Sequence, residues 1–180
     1  MAGRVRVGTG LLVAALLGAG PASARQVADV SLPEQQSVEG RELSLVRMAL
    51  KEKFFFDLYV WGLYLEDKVQ SSDEAIASRG HKRLQFMMKR ALSREQLVSG
   101  IRQTLGASPA MQEAGMREGL DRMIVALSEV QPGDSLIISY VAGEGTYVSG
   151  KVRGVAFIPG KAFADALFTA WLEKNPLFAT

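Results

Sequence analysis

The strongest constraint on the fold is the stretch FFFDLYVWGLYLEDK, residues 54–68. From Phe54 to Leu65 only Asp57 and Gly62 are neither aromatic nor aliphatic. Side chains of a β-strand alternate between its two faces, and here both sets are apolar. We therefore expect a long strand that is covered on both faces. A buried carboxylate needs a partner, so we expect Asp57 to pair with a lysine or arginine or to lie at an exposed part of the strand.

The first 24 residues have the features of a secretory signal peptide. Arg4 and Arg6 precede an uncharged run over residues 8–20, and an A-x-A site places cleavage after Ala24. The run has 13 residues, whereas a membrane-spanning helix needs about 20. We expect the protein to be exported to the periplasm or secreted, with no membrane span after cleavage.

Charge and composition exclude several classes of function. Cleavage removes two of 21 basic residues and none of 19 acidic ones, so the remaining chain has no net formal charge. Nucleic acids are bound largely by neutralising their phosphates, and we expect no nucleic-acid partner. The chain has no cysteine and one histidine, His81, which leaves no thiolate or polyhistidine metal site. We expect neither a metal nor a cofactor, and we expect His81 to lie in a solvent-exposed loop.

The rest of the chain predicts an α+β domain over residues 38–180, preceded by a polar N-terminal arm over residues 25–37 with one edge strand. The order of elements fits an antiparallel sheet covered by helices better than alternating parallel units. The predicted elements are two strands within 38–68 joined around 51–53, a helix over 71–79, a strand over 83–91, a helix opened by the capping box at 93–96, a helix from 108, strands within 135–158, and a final helix after 160.

Four segments together resemble the chalcone isomerase-like family, most closely its short bacterial members with signal peptides. They are VRMALKEKFFFDLYVWGLYLEDK (46–68), LSREQL at the start of a helix, GDSLIISYVAGEGTYVSGK, and IPGKAFADALFTAWL. The resemblance spans nearly all of the chain after residue 24, in order. It implies an open-faced β-sandwich, in which a large antiparallel sheet and a layer of helices enclose an apolar cleft.

The resemblance also implies where catalytic residues would lie. Plant enzymes of the family cyclise chalcones with an arginine before the long strand, a threonine within it, and tyrosine, lysine and asparagine around the following helix. Arg47 matches the arginine, but Tyr59 stands at the threonine position. The helix positions hold Leu97, Gly100 and Thr104 in one register, or Gln96, Ser99 and Gln103 in the next. Stabilising an enolate-like transition state needs several preorganised donors, so chalcone isomerase activity is not expected.

We expect an exported, noncatalytic member of this family that binds a small apolar molecule, fatty-acid-like as in some family relatives. Arginine has planar donors that match two oxygens, so Arg47 is predicted to meet the polar end of the ligand, with Tyr59 and Trp61 in the wall. One alternative is an isomerase or intramolecular lyase for an enone-type substrate, with Arg47 as electrophilic group and Tyr59 as donor. Another is a structural or interaction protein whose cleft has collapsed.

Overall fold

The fold is organised around a seven-stranded antiparallel sheet in which strand order equals chain order. The computed structural model describes residues 23–177. A separate hairpin, β1 (Ala24–Val27) and β2 (Val30–Pro33), precedes the sheet. The sheet consists of β3 (Gln35–Val38), β4 (Arg41–Lys53), β5 (Phe56–Leu65), β6 (Lys82–Met88), β7 (Ser135–Val141), β8 (Gly145–Gly150) and β9 (Ala156–Pro159).

Four helices pack against the face of β5 that carries Trp61, Leu63 and Leu65. They are α1 (Ser72–Ala77), α2 (Arg94–Thr104), α3 (Ala114–Ala126) and α4 (Lys161–Lys174). The predicted capping box of α2 is present, since Ser93 and Gln96 each accept a hydrogen bond from the backbone N–H of the other. The helix predicted from residue 108 is shorter than expected, because Pro109–Met111 forms only a 3-10 turn before α3 begins.

The opposite face of β5 is covered by the N-terminal hairpin. Leu32 of β2 is buried there together with Tyr64, whose hydroxyl donates to the Pro33 carbonyl at 2.9 Å. A Cβ at Gly62 would come within 2.6 Å of Leu32 Cδ1, so glycine leaves room for the Leu32 side chain against the strand. The predicted arm over residues 25–37 thus carries three short strands, because its apolar residues have this second face to cover.

The sheet covered by helices is confirmed, but the start of the long strand was predicted wrongly. Lys53 pairs with Phe56, so the β4–β5 turn consists of Phe54 and Phe55 rather than residues 51–53. Phe54 is 76% exposed and Phe55 is fully exposed. Only from Val60 onward is β5 buried continuously on both faces. Phe54, Phe55 and Phe56, which were expected in a strand covered on both faces, therefore lie at the exposed tip of a hairpin.

The expectation for Asp57 is confirmed, whereas the expectation for His81 is wrong. Asp57 is partly exposed and pairs with Lys89 at 3.3 Å, as predicted. His81 is buried instead of exposed, with Nδ1 2.8 Å from Glu66 Oε2. The reason is that Glu66 directly follows β5 and His81 directly precedes β6, so the pairing of these strands brings them together. Hydrogen bonds from the backbone and then the ring of His81 lower the pKa of Glu66.

Within residues 23–177, no helix has the length and apolar composition needed to cross a membrane. No group of three histidine, aspartate or glutamate side chains in the same part of the chain is arranged to hold a metal ion.

Lys82 is the one lysine of the described chain that is fully buried. Its Nζ donates to the Ile76 carbonyl at 2.7 Å and lies 5.3 Å from the centre of the Phe168 ring. Burial, followed by the charge of Lys161, lowers the pKa of Lys82 from 10.5 to about 8. Between these two values the unfolded chain keeps a proton that the folded chain has released, so the Lys82 contribution to stability becomes more favourable as pH rises.

We predict that Lys82→Met changes the pH dependence of unfolding. The free energy of unfolding of the wild type, measured relative to Lys82→Met by urea denaturation, should rise between about pH 8 and about pH 10.5. The surface variant Lys68→Met is the control, and its free energy of unfolding should change with pH as that of the wild type does. Parallel curves for wild type and Lys82→Met would contradict the assigned pKa.

Candidate functional site

A cavity of about 970 Å³ lies between the sheet, α2 and α4. Its interior is formed by apolar side chains from these three elements. The sheet contributes Tyr59, Leu84, Phe86, Met88, Leu136 and Ile138; α2 and the residue after it contribute Leu97, Ile101 and Leu105; α4 contributes Leu167 and Trp171.

Helix α2, which forms one side of the cavity, is fastened by polar contacts at both of its ends. At its start, the Arg94 guanidinium donates to the Leu127 and Ile124 carbonyls, 3.0 and 3.1 Å away, at the C-terminal end of α3. Cations are favoured there because the last helical carbonyls have no partner within the helix. At the other end, Lys174 Nζ from α4 donates to the Gln103 carbonyl at 2.9 Å. These contacts add to the packing of Leu97 and Leu105 in the core.

Four aromatic rings run along the wall of the cavity and behind it. Tyr59 meets Phe86 edge to face at 5.5 Å between centroids, Phe86 meets Trp171 at 5.1 Å, and Trp171 meets Trp61 at 5.4 Å. Such edge-to-face pairs are favourable beyond the area they bury and hold the rings in fixed orientations. Burial raises the pKa of Tyr59 to about 12, so its hydroxyl is neutral at physiological pH.

The rim of the cavity is polar and has more basic than acidic residues. The basic residues Lys51, Lys53, Arg90 and Lys174 are exposed, and so are the acidic residues Glu52 and Glu95. Among residues 23–177, none of these four cations forms a salt bridge within 4.0 Å. The site is therefore an apolar interior with a basic entrance.

The three residues predicted to form the site share one face of the sheet, but only Tyr59 lines the cavity. Arg47 Nη1 donates to the Leu177 carbonyl at 2.5 Å, and its guanidinium lies 6.0 Å from the Trp61 ring centre. Trp61 contacts Trp171, which itself lines the cavity. Direct contact of Arg47 or Trp61 with a ligand stays a prediction of the sequence.

Several lining residues were missed by sequence reasoning. Phe86 and Trp171 belong to apolar patterns that any core strand or helix would have, so nothing in the sequence marked them as cavity residues. The helix positions compared with the plant enzymes do face the cavity in either register. The cavity-lining residues at those positions are Gln96, Leu97, Ser99, Gly100, Gln103 and Thr104.

Comparisons with known proteins agree with this architecture. A fatty-acid binding protein of Arabidopsis thaliana has a similar structure, with a TM-score of 0.67 at 10% sequence identity, over 86% of this chain and 91% of that chain. At this identity the likeness concerns the fold, and it confirms the predicted open-faced sandwich. No curated protein matches the chain. The family model described as chalcone isomerase-like matches residues 24–179, and the chain therefore belongs to the chalcone isomerase-like family.

Proposed function

We propose that this protein binds a small apolar molecule with one anionic end, of the fatty-acid type, in the cavity between the sheet, α2 and α4. The observation that carries the proposal is the combination of an apolar interior with a basic rim in a cavity of about 970 Å³. Small-molecule sites commonly have volumes of roughly 300–1,000 Å³ and a few polar groups that orient the ligand.

The arrangement of charges suggests the orientation of the ligand. A hydrocarbon chain placed against Phe86 and Trp171 is removed from water, which is the main favourable term in binding. A carboxylate left at the rim stays hydrated and lies near Lys51, Arg90 and Lys174. Arg47 is the weaker candidate for the anchor, because it already donates to the Leu177 carbonyl. The fatty-acid binding protein of Arabidopsis, which shares the fold, supports this class of ligand.

The alternatives have less support from the geometry. An enone isomerase would need its donors aimed at one substrate oxygen, whereas Tyr59 lines the cavity and Arg47 reaches Leu177. If the protein turned over an enone and Tyr59→Phe lowered the rate, that alternative would be supported. A collapsed cleft would leave no cavity of this volume.

Export belongs to the same proposal, and the protein would act in the periplasm or outside the cell. Its basis is the sequence of the first 24 residues, of which residues 1–22 lie outside the described part of the chain. N-terminal sequencing of protein from its host should find Arg25 as the first residue. Uncleaved protein, recovered from a cytoplasmic fraction with residue 1 still present, would contradict export.

We predict that filling the cavity weakens binding. Ile101 lines the cavity from α2, so Ile101→Trp should lower the affinity of delipidated protein for a long-chain fatty acid at least tenfold in a calorimetric titration. Arg102→Trp places the same side chain on the exposed side of α2 and loses only a surface ion pair with Asp121, so it should bind as the wild type does. Equal affinities for the two variants would contradict this site.

We predict that the rim cations select the carboxylate. Arg90→Gln combined with Lys51→Gln should weaken binding of a fatty acid about fivefold, because exposed charges contribute up to about 1 kcal/mol in total. The affinity for the fatty alcohol of equal length should stay the same. Arg47→Ala is the matched comparison. If only this variant lowers the affinity for the fatty acid and leaves the affinity for the alcohol unchanged, the anchor is Arg47 and not the rim.

A further inference from the structure

The tip of the β4–β5 hairpin exposes three consecutive phenylalanines. Phe54 is 76% exposed, Phe55 is fully exposed, and Phe56 is 54% exposed. Single exposed apolar residues are common, but three adjacent rings form a patch that soluble proteins usually avoid. None of these rings is needed to fill the core.

The backbone at this tip is also unfavourable for phenylalanine. Phe54 and Phe55 have φ values of +50° and +68°, the signature of a two-residue type I′ turn. Asparagine and glycine adopt such angles readily, whereas bulky residues are rare there. The β3–β4 turn of the same protein uses Gly40 at the equivalent second position. Neither packing nor turn geometry accounts for phenylalanine at residues 54 and 55, and such departures from local rules tend to mark functional sites.

Basic residues surround the rings. Lys53 Nζ lies 5.6 Å from the centre of the Phe54 ring, and the Arg90 guanidinium carbon lies 4.2 Å from the centre of the Phe56 ring. Lys51 is nearby on β4. The neighbouring acid Asp57 is engaged by Lys89, which leaves Glu52 as the acid at the tip that has no salt bridge within the described residues. Aromatic rings combined with basic side chains suit the surface of a bilayer that contains anionic lipids.

The tip lies at the entrance of the cavity. Phe54 and Phe56 are among the residues that line it, together with Lys51, Lys53 and Arg90. Phe55 is not among them and points away from the protein, being fully exposed. A surface that received Phe55 would therefore meet the cavity entrance as well.

We propose that the β4–β5 tip inserts into an anionic phospholipid bilayer and docks the cavity entrance on the membrane surface. Phe55 enters the acyl boundary, the flanking rings lie at its edge, and Lys51, Lys53 and Arg90 lie among the headgroups. Docking itself does not depend on the identity of the ligand. Exchange of a ligand between bilayer and cavity rests on the proposed function.

A second exposed apolar patch serves as an internal control. Val125 and Val155 are about 70% exposed and lie with Phe157 beside α3 and β9, at the opposite edge of the sheet. Two acidic residues, Glu118 and Asp121, and two basic residues, Arg122 and Arg153, border this patch, so it lacks the basic excess of the β4–β5 tip.

The test is cosedimentation of the purified protein with phosphatidylcholine vesicles that contain or lack phosphatidylglycerol. The wild type should bind the anionic vesicles and bind the neutral ones more weakly. Phe55→Ser should lower the partition coefficient about tenfold, in line with the loss of one inserted ring. Phe55→Leu should restore most of the binding, and Val155→Ser should leave it unchanged. No binding by the wild type, or equal binding by Phe55→Ser, would overturn the proposal in favour of a protein partner for the tip.

A second variant separates loss of docking from loss of folding. Phe54→Asn with Phe55→Gly installs the preferred type I′ turn, so its thermal midpoint should rise while vesicle binding is lost. Retained vesicle binding by this variant would overturn the proposal.

Insertion itself is observed with Phe55→Trp, whose indole emission should shift to the blue and be quenched by brominated acyl chains. Emission that stays unchanged with bound vesicles would place the tip outside the bilayer and overturn the proposal. Phe55→Ser should bind fatty acid in vesicle-free solution as the wild type does, because Phe55 does not line the cavity. Failure of fatty-acid binding by the wild type would thus affect the proposed function and leave the docking result intact.

Discussion

The structure depends on the burial of β5 on both of its faces. Trp61 and Leu63 meet the helical layer, while Gly62 and Tyr64 meet the N-terminal hairpin. Each face requires its own cover, so the chain needs both a hairpin before the sheet and helices inserted between and after its strands. The burial weakens toward the β4–β5 tip, and it is at this less buried end that the cavity opens.

Polar contacts at both ends of α2, together with the packing of Leu97 and Leu105 into the core, fix this helix over the sheet. Arg94 and Lys174 each donate to carbonyls at a helix end, where backbone carbonyls have few partners within the helix. The cavity lies between this helix, α4 and the sheet. Gln96, Ser99, Gly100 and Gln103 of α2 lie along one side of this space.

Much of the fold could be predicted from sequence because its signals are local. Two apolar faces on residues 60–65 indicate a central strand, and Ser93 with Gln96 marks the start of α2. The failures have equally physical reasons. Phe54 and Phe55 continue the apolar run, but backbone pairing of Lys53 with Phe56 makes them a turn. His81 follows a glycine and precedes a lysine, yet Glu66 binds it across a strand pair that sequence spacing does not reveal. A cavity is a space between side chains, and residues such as Phe86 have the same pattern whether they fill a core or line a void.

The matching of strand order to chain order has a consequence for the path of folding. Every strand of the main sheet pairs with its neighbour in the chain, although α2 and α3 separate β6 from β7. Helix α4 follows every strand in the chain. The sheet therefore keeps part of its apolar face uncovered until α4 packs against it. The packing of Trp171 against Trp61 and Phe86 also forms one wall of the cavity, so the same contacts complete part of the core and part of the site.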